Sequence, residues 1–208
     1  MNNKIILDLA GGTGAWSRPY AEAGYDVRVI TLPEYDVLTY KLPDEPIYGI
    51  LAAPPCTMFS DARTNAKTPR DLKGGMDIVY ACLNLIWQAQ FRTESDQQKY
   101  SPLRFWALEN PWYGRLKWFL GNPKFEFSPW EFGDAYKKRT AIWGYFNEPI
   151  KNPVEPIIQT DHNHSKLPKF DYMKSKDIHP EYFGKYDRQT RRSITPAGFA
   201  NAFYKANN

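Results

Sequence analysis

Cysteine is scarce in this chain: 208 residues contain only Cys56 and Cys82. Two thiols cannot build the framework of bridges on which small secreted domains rely, and no cluster has zinc-ligand spacing. Long apolar runs are missing as well, and nothing approaches the roughly 20 residues that span a bilayer. The N-terminus passes from "MNNK" straight into "IILDLA" and a glycine-rich turn, without the h-region and cleavage site of a secretory signal. No charge of one sign dominates, since 27 basic against 23 acidic residues leave +4. Internal repeats and low-complexity tracts are absent. Together these absences argue against a disulfide scaffold, a zinc cluster and a membrane span, and the expectation is a soluble, cytoplasmic chain. The small net charge permits contact with nucleic acid without arguing for it.

Aromatics are abundant, at 16% of the chain, and many stand beside Lys or Arg, as in "RLKWF", "YKKRT" and "EYFGKYDRQTRR". Such mixtures suit base stacking and phosphate contact. They equally suit packing of Lys and Arg stems over rings. The length allows one domain with a real core, with or without a small extension.

The first half alternates strand and helix signals. "KIILDLA", "YDVRVITL", "IYGILAA" and "LRFWALE" read as strands, "RPYAEAG" as a short helix ended by Gly24, and residues 75–92 as a long amphipathic helix. Strands interleaved with helices predict an α/β fold with a mostly parallel sheet. "KFEFSPWEF" and "TAIWGYF" read as further strands. From Asn147 the chain turns proline-rich and polar with no clear period, which predicts an ordered but irregular extension. "TPAGFANAFYKAN" reads as a last helix with Thr195 as N-cap and Pro196 at its first position. The expected division is a main domain over 1–146, a short irregular region over 147–190 and a C-terminal helix over 191–208.

Three motifs carry chemistry. In "LDLAGGTGAWS" a strand runs into Gly11, Gly12 and Gly14, which let the backbone turn tightly and approach a ligand. No Gly-Lys-Ser/Thr follows, so this is no P-loop, and the third glycine of the dinucleotide fingerprint is missing. A purely structural turn is the plain alternative. In "GILAAPPCTMFS" the prolines force the strand to end by Pro54, which leaves Cys56 in the loop outside a strand's carboxyl end. The alternative is a small buried cysteine closing a strand. In "LENPWYG", Glu109 leaves an apolar strand and is locked by Asn110 and Pro111. Apolar surroundings raise a carboxyl pKa and make it a usable proton donor. Cys82, in a helix-like apolar segment, reads as core.

Taken together and in this order, these motifs resemble the DNA cytosine 5-methyltransferase family, above all its short phage and prophage versions. "PPCTMFS" resembles the Pro-Pro-Cys-x-x-Phe-Ser nucleophile loop and "ENP" the catalytic glutamate motif. Asp8–Ser17 resembles the cofactor loop, "DVLTY" the acidic turn beside the cofactor's adenine, "KKRT" the Arg-x-Arg pair, and "TPAGFANAF" the C-terminal helix that packs back near the cofactor. The resemblance implies a Rossmann-like methyltransferase fold with helices on both faces of the sheet, and S-adenosyl-L-methionine as cofactor. It implies Cys56 as nucleophile on cytosine C6, a protonated Glu109 holding N3 and the exocyclic amine, and Arg139 at O2 or at the nucleophile loop, with Lys137 as a weaker partner. Asp8, Ala10, Gly11, Gly12, Gly14, Trp16, Ser17, Asp36 and Pro54 become the cofactor set. DNA becomes the partner, with Ser60, Lys137, Arg188, Arg191 and Arg192 its candidate contacts. Position 56 is Cys where amino-methyltransferases place a ring, so attack on carbon is the better reading.

The chain also departs from the family. Thr31, Leu32 and Pro33 occupy the end of the second strand, where an acidic residue usually grips the cofactor ribose, and Lys137-Lys138-Arg139 matches the arginine pair only in part. The stretch between Arg139 and the last helix is much shorter than a typical target-recognition region, so recognition uses little machinery or depends on a second protein chain. "DHNH" at 161–164 with His179 nearby invites a metal or HNH-nuclease reading, but no ββα companion pattern or paired cysteines accompany it, and no metal site is expected. The other readings are a non-catalytic DNA- or partner-binding relic, or pyrimidine modification with a different donor.

Overall fold

Five consecutive buried residues, Ile5–Leu9, make β1 the axis of the sheet. Side chains alternate across a strand, so Ile5, Leu7 and Leu9 face one layer while Ile6 and Asp8 face the other. The computed structural model describes residues 4–63, 66–91, 103–154 and 184–208. Among them lie β1 (Ile5–Leu9), α1 (Arg18–Glu22), β2 (Asp26–Ile30), β3 (Ile47–Ala52), α2 (Leu72–Gln90) and β4 (Phe105–Pro111). Then follow α3 (Lys117–Leu120), β5 (Phe125–Phe127), β6 (Thr140–Tyr145), α4 (Arg188–Ser193) and α5 (Ala197–Ala206). The described strands form one six-stranded sheet in the order β2-β1-β3-β4-β6-β5. β1 pairs in parallel with β2 and β3, and β3 with β4; only β6 runs against its neighbours β4 and β5. The α/β, mostly parallel expectation holds, with the sheet mixed at one edge.

Two apolar layers sandwich the sheet. Ile5, Leu7, Leu9, Ile50 and Ala52 pack against Val79, Cys82, Leu85 and Ile86 of α2. Gly75, Val79, Cys82, Ile86 and Ala89 recur three or four residues apart, which is why one face of α2 is buried. On the opposite face Ile6, Leu51, Phe105, Ala107 and Ile142 pack against Trp16, Tyr20 of α1 and Phe199 and Phe203 of α5. Helices therefore cover both faces, as expected. Truncating either phenylalanine of α5 to alanine would cost about 3–5 kcal/mol, the usual scale for a buried ring. No described helix is long and apolar enough to cross a membrane.

Several boundaries differ from expectation. α2 begins at Leu72 rather than 75 because the Asp71 side chain accepts from the Gly74 N–H at 2.8 Å, an N-cap ahead of the Gly-Gly pair. "KFEFSPWEF" is a three-residue strand followed by a 3-10 turn at Pro129–Phe132, because Pro129 cannot continue a ladder and Glu131 accepts from the Ser128 N–H at 2.6 Å. α5 starts at Ala197, and Pro196 rather than Thr195 is its cap residue. Its free Gly198 N–H is taken by Asp134 at 2.9 Å, so the capping carboxylate comes from far away in sequence. The expected boundary at 191 falls inside α4. Most of the proposed recognition region, including His162, His164 and His179, lies outside the described residues.

Candidate active site

The strand order reverses at β1, because β2 lies to one side of it and β3 to the other. In open α/β sheets that reversal opens a crevice outside the carboxyl ends of the strands. The glycine-rich turn leaves β1 at this point. Ala10, Gly12 and Gly14 take φ of 52°, 56° and 67°, the left-handed region that glycine tolerates best. The Ala10 N–H donates to Ile30 at 2.8 Å and the Gly14 N–H to Gly11 at 3.0 Å, which pins the turn. A Cβ at Gly11 would land inside the Asp8 carboxyl group, so only glycine fits over that side chain.

Asp8 is fully buried. The Ser17 hydroxyl donates to its Oδ2 at 2.6 Å, while Oδ1 has no donor among the described residues. Burial pushes its pKa up to about 6, against the opposing pull of Ser17. Folding therefore favours protonated Asp8. Stability falls as pH rises from about 4 to about 6, and the penalty is fully present above that, on the order of 3 kcal/mol. Asp8→Asn keeps an acceptor for Ser17. It should raise the melting temperature at pH well above 6, and the gain should vanish at pH 4 in calorimetry. A gain of equal size at both pH values would contradict this assignment.

The thiol loop is built by prolines and clamped from several sides. β3 ends at Ala52, the Ala53 N–H donates to Leu9 at 2.9 Å, and after Pro54 and Pro55 the chain makes a 3-10 turn at Cys56–Met58. Asn110 donates through Nδ2 to the Pro54 carbonyl at 3.0 Å, tying "ENP" to "PPC" inside the protein. The Arg70 guanidinium donates to the carbonyls of Met58 and Ser60, both at 2.9 Å. The Arg115 N–H donates to Phe59 at 3.0 Å, and Phe59 is fully buried. Gly75 of α2 lets the helix approach, since a Cβ there would press on Met58 and the Phe59 ring. Cys56 is left half-buried on a fixed turn.

Register brings the carboxylate to the thiol. Leu108 of β4 pairs with Ala52, so Glu109 comes one residue past the last pairing with β3, beside the Cys56 loop, and stays paired with Ile142 of β6. Glu109 is half-buried, and desolvation raises its pKa while Lys138 pulls the other way. The Cys56 thiol is also raised, first by burial and then by the charge of Glu109, against Lys138 and Arg192. The two groups thus sense each other. Protonating Glu109 removes one cause that opposes the thiolate, so a neutral acid and a thiolate suit each other here.

Lys138 is the cation that sequence reasoning passed over. On β6, Ile142 and Thr140 pair with Glu109 and Pro111, and Lys138, two residues before β6 begins, is the cation that acts on Glu109. Its Nζ donates to the Ile194 carbonyl ahead of α5 at 3.1 Å. Counting back in steps of two from Ile142 would have found it. Arg139 is held instead in a forked pair with Glu126 at 2.8 Å and over the Trp112 ring at 4.4 Å. The charges that act on Cys56 are those of Glu109, Lys138 and Arg192, and the structure does not bring Arg139 among them.

The other expected residues fall as follows. Trp16 is a core residue that packs edge-on against Phe203, at 5.4 Å between ring centroids. The Pro54 carbonyl is taken by Asn110, and Asp36 forms a turn by accepting from the Leu38 N–H at 2.9 Å. Ser60 accepts from the Ala62 N–H at 3.2 Å, so its hydroxyl shapes the thiol loop. Lys137 is half-buried next to Lys138. α4 carries Arg188, Arg191 and Arg192; Gln189 reaches Thr57 at 3.4 Å, which sets this helix against the thiol turn. Arg191 donates to the Asp187 carbonyl at 3.3 Å. Among the described residues no group of three or more His, Cys, Asp or Glu side chains is placed to hold a metal ion. No protein-family model matches the chain, and no curated protein matches it.

Proposed function

We propose that the protein is an S-adenosyl-L-methionine-dependent DNA methyltransferase of the Rossmann-like type, acting on cytosine C5. The observation that carries this reading is the Asn110–Pro54 hydrogen bond, with the Leu108–Ala52 register, that holds Glu109 of β4 beside the Cys56 loop. Thr31, Leu32 and Pro33 still leave the ribose end of the donor site without the family's usual carboxylate. The buried Asp8 Oδ1, which lacks a donor, and the tight turn over it fit a cationic, amine-bearing donor. Asp8, Gly11, Gly12, Gly14 and Ser17 are the residues that would hold it. When bound, the sulfonium donor supplies the methyl group that C5 accepts.

The protein's own side chains do the rest. The Cys56 thiolate forms a bond to C6, and the displaced ring electrons make C5 nucleophilic. Glu109, whose pKa desolvation raises, donates in its protonated form to N3 and offsets the charge that develops on the ring. Lys138 and Arg192 favour the thiolate. A base then removes the C5 proton, the electron pair returns to the ring and the Cys56 thiolate leaves. On duplex DNA the target base must first leave its stack. Bisulfite sequencing of DNA from cells that express the protein tests this directly. Protected cytosines should appear with the wild type and be missing with Cys56→Ser. Identical patterns in both would sink the reading.

A further inference from the structure

Immediately after "ENP" the chain reads "WYGRLKWF"; Trp112 packs against the core, and the other three rings are exposed. Tyr113, Trp118 and Phe119 expose 61%, 67% and 49% of their surface. Cations lie over this group: Arg139 above Trp112 at 4.4 Å, Lys117 above Trp112 at 5.2 Å and Arg115 above Trp118 at 5.2 Å. Against Arg70, Arg115, Lys117 and Arg139 stand the carboxylates Asp61 and Glu126. Asp61 is 3.9 Å from Arg70 and 3.8 Å from Arg115, while Glu126 engages Arg139. The balance of charge is positive.

The group is also joined to the thiol loop. Ser60 and Gly114 form an antiparallel bridge, the Asp61 N–H donates to the Tyr113 carbonyl at 3.0 Å, and the Arg115 N–H donates to Phe59 at 3.0 Å. Whatever lies on these rings therefore sits next to whatever reacts at Cys56. Exposed ring faces in a basic setting beside a reactive site match the chemistry of bases that are not paired, since every base has a face to stack while phosphates meet the cations.

We propose that Tyr113, Trp118 and Phe119, with Arg115 and Lys117, form a stacking platform for unpaired nucleotides of the DNA strand that carries the target base. This rests on the reading of the protein as a DNA-modifying enzyme. The platform holds nucleotides beside the target and takes no part in the bond-making steps.

The test is fluorescence anisotropy with a fluorescein-labelled single-stranded oligodeoxynucleotide and with the blunt duplex of the same sequence. The variants are Tyr113→Ala/Trp118→Ala and Trp118→Phe, checked for unchanged thermal melting. The double variant should lose about ten-fold or more in affinity for the single strand, the scale of removing stacked rings. The duplex should lose much less, and Trp118→Phe should bind nearly as the wild type does. Unchanged single-strand affinity in the double variant, or equal loss on the duplex, overturns the platform. A methyl-transfer assay on the same samples separates the two ideas. Methylation by the wild type with no binding defect in the double variant sinks the platform alone. The expected binding defect without methylation by the wild type sinks the enzymatic reading alone.

Discussion

Cys56→Ser should reduce methyl transfer by roughly 10⁴-fold or more, the scale of removing the nucleophile from a covalent mechanism. Serine has nearly the same shape, and the clamps on its loop come from Asn110, Arg70 and Arg115, none of which bond the thiol itself. The fold and DNA affinity should therefore survive while chemistry stops. The reason is ionisation. The thiol is raised by burial and by Glu109, while Lys138 and Arg192 oppose both and favour the thiolate. A serine hydroxyl has no comparable anion. Residual turnover near the wild-type rate, measured by transfer of radiolabelled methyl groups, would remove Cys56 from the mechanism.

Glu109→Gln should slow methyl transfer about 100-fold or more, the usual cost of losing one general acid. The amide keeps the shape and one donor but cannot give up a proton to N3. Donor affinity should hardly change, because Asp8 and the glycine turn lie at the end of β1 and Glu109 at the end of β4. The substitution also removes a negative charge that raises the Cys56 thiol. Iodoacetamide should then alkylate Cys56 as fast as in the wild type or faster, even as turnover falls. A variant that loses donor affinity in calorimetry while keeping normal turnover would place Glu109 in the other pocket.

Much of the scaffold could be read from residues alone, and the reasons are local. β1, β3 and β4 are buried on both faces, so they read as short apolar runs between glycine and proline signals. Cys56 and Glu109 were legible because Pro54, Pro55 and Pro111 mark where their strands must stop. What escaped depends on distant partners. Asp134 caps α5 from a loop more than sixty residues earlier, so Thr195 looked like the natural cap. Arg70 holds two carbonyls of the thiol loop, and nothing in its own surroundings signals that. Lys138 escaped notice because the family pattern draws attention to the arginine, whereas Lys138 is the cation that acts on Glu109 and Arg139 is engaged by Glu126.

The proposed mechanism requires a covalent bond between Cys56 and a cytosine ring. It is tested most directly by incubating the protein with DNA containing 5-fluorocytosine and the methyl donor, then measuring intact mass after denaturation. Fluorine at C5 blocks the final elimination, so the complex cannot resolve. The expected product is a protein species heavier by the oligonucleotide and one methyl group, mapped to Cys56 by peptide analysis and missing in Cys56→Ser. An adduct that persists in Cys56→Ser, or wild-type protein that methylates ordinary cytosine yet never forms the adduct, would contradict it.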